Sequence, residues 1–174
     1  FAVADTLTPD RIVIGVANPA APDEPAGRDE QIMRRVYAPM IEWGSPFLVM
    51  DYATSELVKV AANSFLATKI SFINAMAEVC EATGADVTQL ARAIGYDERI
   101  GSKFLRAGIG FGGGCLPKDI RAFMARAGEL GVSDALSFLR DVDGINTRRR
   151  TSTVALAREQ VGGRFVGKRI AVLG

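Results

Sequence analysis

From Thr54 to about Ala82 neither proline nor glycine interrupts the chain, and apolar residues recur at helical spacing throughout. Thr54 or Ser55 can cap the start. Ala61, Phe65, Phe72 and Met76 form one stripe, and Leu66, Ile70, Ile73 and Ala77 form its neighbour. A helix so broadly apolar is expected to be buried on most sides. At 1.5 Å per residue it would be ~45 Å long, about as long as a domain of this size is wide. The economical expectation is that a second copy of the chain packs along it.

The stretches to either side read differently. Arg11–Val16 and Phe47–Asp51 read as strands, with a helix from Arg28 to Trp43 between them that Pro39 would kink. Asn18–Gly27, with Pro19, Pro22 and Pro25, is the loop before that helix. After the long helix, shorter ones are expected over Asp86–Ile94 and Lys118–Leu130, and a long one from Ser133 towards Val161. The run Gly167-Lys-Arg-Ile170-Ala-Val-Leu-Gly174 reads as the opening strand of a nucleotide-binding unit that would continue past residue 174. The expected fold class is a mainly α central domain between two partial α/β, Rossmann-like remnants, with the long helices forming a dimer core. The divisions are 1–52, 53–162 and 163–174.

Among 174 residues, 21 basic and 20 acidic side chains nearly cancel, which excludes nucleic acid and anionic membrane as partners argued from charge. The Arg148-Arg149-Arg150 triplet falls within a helical pattern and reads as a solvated face. No apolar stretch approaches the ~20 residues of a membrane helix, and no leader is visible, so a cytoplasmic location is expected. Two cysteines and no histidine exclude a disulfide framework and disfavour zinc. No metal is expected. Cys80, in a helical run, reads as a small buried residue.

The chemistry-bearing stretch is Gly108-Ile-Gly-Phe-Gly-Gly-Gly114-Cys115-Leu-Pro-Lys-Asp119, where five glycines close on one cysteine. Pro117 suits the first turn of a helix. Cys115 would then stand at a helix N-terminus, where the partial positive charge favours a thiolate nucleophile. Lys118 adds a cation nearby, and Asp119 lies four residues on. With no histidine, lysine, aspartate or water would have to do the proton work. Gly108–Gly113 also matches G-x-G-x-x-G, but a dinucleotide fingerprint needs a strand before it. Here Lys103-Phe-Leu-Arg106 precedes it and reads as a short helical turn. The segment is better read as a flexible collar for a sugar or phosphate. Lys59 and Asn63, spaced i, i+4, begin an otherwise apolar helix stripe. An ammonium and an amide N–H there suit an oxyanion formed in carbonyl chemistry.

Glu56-Leu-Val-Lys59-Val-Ala-Ala-Asn63 continuing to Asn74, Cys80-Glu-Ala-Thr-Gly-Ala-Asp86, Arg99-Ile-Gly, and Gly110-Phe-Gly-Gly-Gly-Cys115-Leu-Pro-Lys-Asp119 occur here in that order. Together they closely resemble the UDP-glucose dehydrogenases of the UDP-glucose/GDP-mannose dehydrogenase family, over essentially the whole chain. The resemblance implies an NAD-binding Rossmann domain, a helical centre that makes a homodimer, and a nucleotide-sugar domain. It implies that UDP-glucose, two NAD⁺ and water give UDP-glucuronate and two NADH. Cys115 matches the nucleophile that carries a thiohemiacetal and then a thioester. Lys59 and Asn63 match the pair holding the C6 oxygen or an ordered water, and Asp119 matches the aspartate assisting proton transfer. Phe104, Arg106, Ala107, Gly108, Ile109, Gly110, Phe111 and Gly112 match the segment that cradles the substrate. Arg99 matches an arginine reaching the partner subunit's substrate, and Cys115 and Lys118 match positions near the NAD cofactor.

Gly114 departs from a serine frequent in the family. The family's hydrolytic glutamate loop would lie ahead of Phe1, and the true glycine fingerprint would also lie outside these residues, so the 174 residues alone are expected to be inactive. The alternatives are an enzyme of the same family acting on GDP-mannose or a UDP-N-acetylhexosamine, and a helical dimerisation module with no chemistry.

Overall fold

The structure is a computed structural model that describes residues 2–21 and 23–173. Pro22, expected in a loop, and Gly174, expected to end a strand, lie outside the described residues. The chain runs through α1 (Ala2–Leu7), β1 (Ile12–Val16), α2 (Arg28–Val36), α3 (Ala38–Glu42), β2 (Phe47–Asp51), α4 (Tyr52–Thr83), α5 (Val87–Gly95), α6 (Leu116–Glu129), a 3₁₀ turn (Ser133–Leu136) and α7 (Phe138–Gln160). It is mainly helical with one small parallel sheet, as expected. Two compact units divide it, residues 1–61 and 62–174.

In the first unit β1 and β2 pair in parallel, in register from Ile12 opposite Phe47 to Val16 opposite Asp51. A parallel pair needs a crossover, and α2 and α3 supply it. The single kinked helix expected over Arg28–Trp43 is instead two helices that part at Tyr37. Pro39 has no N–H to continue the first helix and sits in the opening turn of the second, where none is needed. Glu30, buried at the start of α2, receives a 2.7 Å bond from Arg34, whose guanidinium lies 4.5 Å from the Phe47 ring centre. The cap of α4 is one element earlier than expected: Asp51, not Thr54 or Ser55, accepts bonds from the Thr54 amide (2.9 Å) and hydroxyl (2.8 Å). Those bonds hold the Asp51 carboxyl below its ordinary range.

The second unit is built on α4, α6 and α7. Ala67, Phe111, Ile120, Leu139 and Val142 form its buried centre, with Ile70, Leu116, Phe123, Met124 and Leu136 packed around them. The inward face of α4 is not its large apolar one. Ser64, Ala67, Ser71, Asn74, Ala77 and Cys80, at three- and four-residue intervals, are buried together with Ile73. Small residues let neighbouring backbone come close, and their polar groups then need partners. The Ser71 hydroxyl donates to the Val142 carbonyl of α7 at 2.8 Å. Phe65, Phe72 and Val79, seven residues apart, are exposed. The expectation that α4 is buried on most sides therefore fails within the single chain: its aromatic row faces outward because the inward positions are taken by small side chains.

Gly84 ends α4. Its φ is +74°, and the Ala85 amide bonds back to the Cys80 carbonyl at 3.0 Å, closing the last turn. Asp86 then caps α5, accepting from the Thr88 amide at 2.7 Å. The Gln89 side chain first, and the Thr88 amide next, hold the Asp86 carboxyl below its usual value.

Two expectations are corrected here. Lys103–Phe104 is a single turn, closed by the Leu105 amide to the Ser102 carbonyl at 3.4 Å, and it does not continue as helix because Phe104 takes a left-handed φ of +65°. Residues 168–173 form no strand; a β-branched run is a strand only when another strand completes its hydrogen bonds. Placing a methyl on Gly84 meets no atom within 4 Å, so the loss in Gly84→Ala is purely backbone. Chemical denaturation is expected to show a stability lower by about 1–2 kcal/mol.

Candidate active site

All the following geometry lies within the second unit. Cys115 is the residue from which α6 starts, with Pro117 in the first turn, and it is exposed; Cys80 is buried. The sequence-based placement of the thiol at a helix N-terminus is thus the one observed. Asp119 follows one turn later, its amide donating to the Cys115 carbonyl at 2.9 Å. Its side chain is buried, beside the fully buried Ile120. Asn63 on α4 donates from Nδ2 to Asp119 Oδ2 at 2.6 Å, and the exposed Lys118 ammonium lies 3.3 Å from Oδ1. A carboxylate in this position is an acceptor held between an amide and a cation, one helical turn from a solvent-facing sulfur. Cys115, Asp119, Asn63 and Lys118 are therefore brought to one end of α6 by α4 and α6. Lys59 belongs to the first unit, where it is exposed on the opening turns of α4.

The glycine segment is anchored at some positions and open at others. Gly108 donates its amide to Asn74 Oδ1 at 2.8 Å. The Phe111 ring is buried in the core, and both polar groups of its backbone are taken by Asn146: N–H to Oδ1 at 2.8 Å, and C=O from Nδ2 at 3.0 Å. Arg149 donates to the Gly108 carbonyl and Arg150 to that of Phe111. Ile109 is exposed, and Gly112, Gly113 and Gly114 face open space. The G-x-G-x-x-G spacing here is not a dinucleotide turn: no strand leads into it, and two of its amides are already bonded to side chains.

Arg106 and Ala107 line a cavity of about 390 Å³ together with Val87, Thr88, Ala91, Arg92, Ser102 and Leu105. Its lining includes two arginines and two hydroxyl residues, and the Arg92 guanidinium donates to the Tyr96 hydroxyl at 3.3 Å. Phe104 is exposed beside it. Arg99 is also exposed, and it is held by Asp97 at 2.6 and 3.0 Å. The Arg99 guanidinium keeps the Asp97 carboxyl below its ordinary value, and Asp97 in turn raises that of Arg99.

Sequence reasoning missed Asn74 and Asn146, and it misread two arginines. Arg148 pairs with Glu78 at 3.6 Å on a solvated face as expected, but Arg149 and Arg150 fasten the glycine segment. The available signal was an asparagine among apolar helix neighbours, an unfavourable choice unless the amide has partners. Among the described residues no cluster of three His, Cys, Asp or Glu side chains could hold a metal, and no helix is long and apolar enough to cross a membrane.

An exposed thiol at the head of α6, a buried carboxylate one turn on and an α4 amide bonded to that carboxylate follow directly on a glycine segment. Residues 53–148 match the central domain of the UDP-glucose/GDP-mannose dehydrogenase family, and the chain belongs to that family. It is 46% identical over 173 residues to a UDP-glucose 6-dehydrogenase of Rickettsia felis and 43% identical to one of Rhizobium meliloti. Each alignment takes 99% of this chain, and the chain spans 36% and 38% of those relatives' length. Its fold resembles a UDP-glucose dehydrogenase from the hyperthermophilic archaeon Pyrobaculum islandicum, with a TM-score of 0.78 and 37% identity, over 92% of this chain and 34% of that one.

Asn63→Ala removes the bond that ties α4 to the buried carboxylate at the head of α6. A loss of about 1–3 kcal/mol in unfolding free energy is expected, measured by denaturant titration. An unchanged midpoint would show that the contact carries no stability.

Proposed function

We propose that these residues belong to a longer NAD-dependent dehydrogenase that oxidises C6 of UDP-glucose to a carboxylate through a thioester on Cys115. The observation that carries the reading is the exposed Cys115 at the head of α6, one turn from a buried Asp119 that an α4 amide holds in place. The names of the relatives support the substrate. The divisions at 52/53 and 162/163 belong to the same proposal: the end of a dinucleotide domain, a helical centre, and the start of a sugar-binding domain.

Of the groups that would meet the cofactor, Cys115 and Lys118, an exposed thiol and an exposed ammonium, are assigned to the nicotinamide end, and the pyrophosphate turn to other residues. NAD⁺, when bound, accepts hydride from C6 in each of the two oxidations. Asn63, and Lys59 four residues earlier on the same helix, are assigned to the C6 oxygen, which gains negative charge as its proton leaves. Cys115 Sγ adds to the aldehyde carbon, forming a C–S bond while the carbonyl oxygen takes a proton. The second oxidation converts that thiohemiacetal to a thioester. Water then attacks the acyl carbon, the C–S bond breaks, and the thiolate leaves. Asp119, a buried carboxylate one helical turn from Cys115, is assigned to take the proton from the attacking water. The main chain from Arg106 to Gly112, with Phe104, is assigned to the sugar-phosphate portion, and Arg99 to a substrate bound by the partner.

The dimer is proposed on the outward row of α4. Phe65, Phe72 and Val79 line one helix face, and a large exposed apolar stripe on a long helix is the kind of surface a second copy covers.

Two measurements test these readings on the intact polypeptide that carries this chain. NADH formation with UDP-glucose is expected, at two NADH per sugar, and Cys115→Ser is expected to abolish acid formation by at least about a thousandfold. Oxidation of GDP-mannose in place of UDP-glucose would move the protein to the other branch of the family; activity retained in Cys115→Ser would end the thioester mechanism. In sedimentation equilibrium the intact protein is expected to be at least dimeric, and Phe72→Glu to weaken that association at least about tenfold. A monomeric parent protein would overturn the interface.

A further inference from the structure

We propose that Asn146 is a positioning residue for the nucleotide sugar, and that with Asn74 it divides the glycine segment into a fixed half, Gly108–Phe111, and an open half, Gly112–Gly114. This rests on the reading of that segment as the substrate cradle.

Asn146 is 1% exposed and Asn74 is fully buried, so a carboxamide atom without a partner is costly there; Asn74 is bonded through Oδ1, while its Nδ2 has none. Asn146 satisfies both ends on one residue. Its Oδ1 accepts the Phe111 N–H and its Nδ2 donates to the Phe111 C=O, as a neighbouring strand would. That pairing accepts only one backbone conformation at Phe111. Gly110, at φ +102°, is part of the same fit: a Cβ there would collide with Asn146 Oδ1. One turn of loop away, Asn74 Oδ1 holds the Gly108 amide at 2.8 Å. Arg149 and Arg150 add donors to the Gly108 and Phe111 carbonyls.

The fixed half has therefore spent its amides at 108 and 111 on the protein. Gly112, Gly113 and Gly114 have amides that meet no protein acceptor among the described residues, and nothing lies within 4 Å of where their side chains would be. A ligand anion or hydroxyl approaching Cys115 thus meets the amides of 112–114, and their starting point is set by the clasp on Phe111. α7, which contributes no residue to the reacting centre, acts on it through Asn146. Loss of the clasp releases the starting point of the open half while leaving Cys115, Asp119 and Asn63 in place, so binding suffers before chemistry.

The test uses the intact protein and Asn146→Ala, with two readouts. Amide hydrogen exchange in the unaltered protein is expected to show Gly108 and Phe111 protected at least about tenfold over Gly112–Gly114. Equal exchange across the segment overturns the division, whether or not the variant folds. In Asn146→Ala, KM for the nucleotide sugar is expected to rise about tenfold. Its kcat per active site, counted by alkylation of Cys115, is expected to stay within about threefold. A merely structural role predicts the reverse, fewer active sites with unchanged KM, and that result overturns the proposal. If the unaltered protein oxidises no nucleotide sugar, the functional reading fails, and the clasp is then judged by amide exchange alone. Asn146→Ala must then lose the protection at Phe111 for the clasp to stand, while protection retained in the variant overturns it.

Discussion

Hydrogen bonds from asparagine side chains to other elements hold the second unit together: the buried Asn74 and Asn146 and the half-buried Asn63 each make at least one. Asn63, Asn74 and Asn146 come from two helices, and each ties its helix to the segment or helix that carries Cys115. Because the inward face of α4 is lined with Ser64, Ala67, Ser71 and Ala77, neighbouring backbone comes close enough for short side chains to reach it. Leucines at those positions would hold the glycine segment away, and the amides would lose their partners. The packing of small residues and the polar contacts are one arrangement.

This explains why so long and apolar a helix leaves its aromatics outside. A helix has a limited circumference, and here the inward arc is occupied by residues chosen for approach and hydrogen bonding. Phe65, Phe72 and Val79 are left on the outer arc. The apolar surface that drives burial is thereby available for assembly, while the chain's own core is completed by Phe111, Ile120, Leu139 and Val142 from later elements. Asn63 and the exposed Phe65, Phe72 and Val79 row lie on different arcs of one helix. A substitution on the outer arc need not disturb the site.

The division of labour at the head of α6 has a similar logic. Cys115 is exposed, while Asp119 one turn on is buried and bound. Helical geometry provides the spacing; Pro117 in the first turn provides a clean start without an unmet N–H. The carboxylate's partners come from two directions, Asn63 from α4 and Lys118 from its own helix. Acid–base capacity is thus present beside the thiol in a chain that contains no histidine.

Local order was legible in the residues themselves. Apolar spacing marked the long helix, Pro117 and the glycines marked the head of α6, and β-branched runs marked β1 and β2, because helix and strand periods and proline's missing donor act over a few neighbours. The family motifs likewise identified Cys115, Asp119 and Asn63 as a set. What single-chain periodicity does not contain is which arc of a helix turns inward, and there the reading went astray for α4. It also failed where a residue's role depends on a distant partner: Asn74 meeting Gly108, Asn146 meeting Phe111, and two arginines that looked like a solvated face. The run at Ile170–Leu173 had the composition of a strand and formed none, since a strand is defined by its neighbour's hydrogen bonds as much as by its own side chains. The sequence alone therefore determined most of the helices and both strands of the sheet, and it placed Cys115 at a helix start. Only the tertiary structure decided which polar side chains are buried, because burial depends on what packs against them, and most but not all of their polar atoms then find partners: Ser64 Oγ and Asn74 Nδ2 have none.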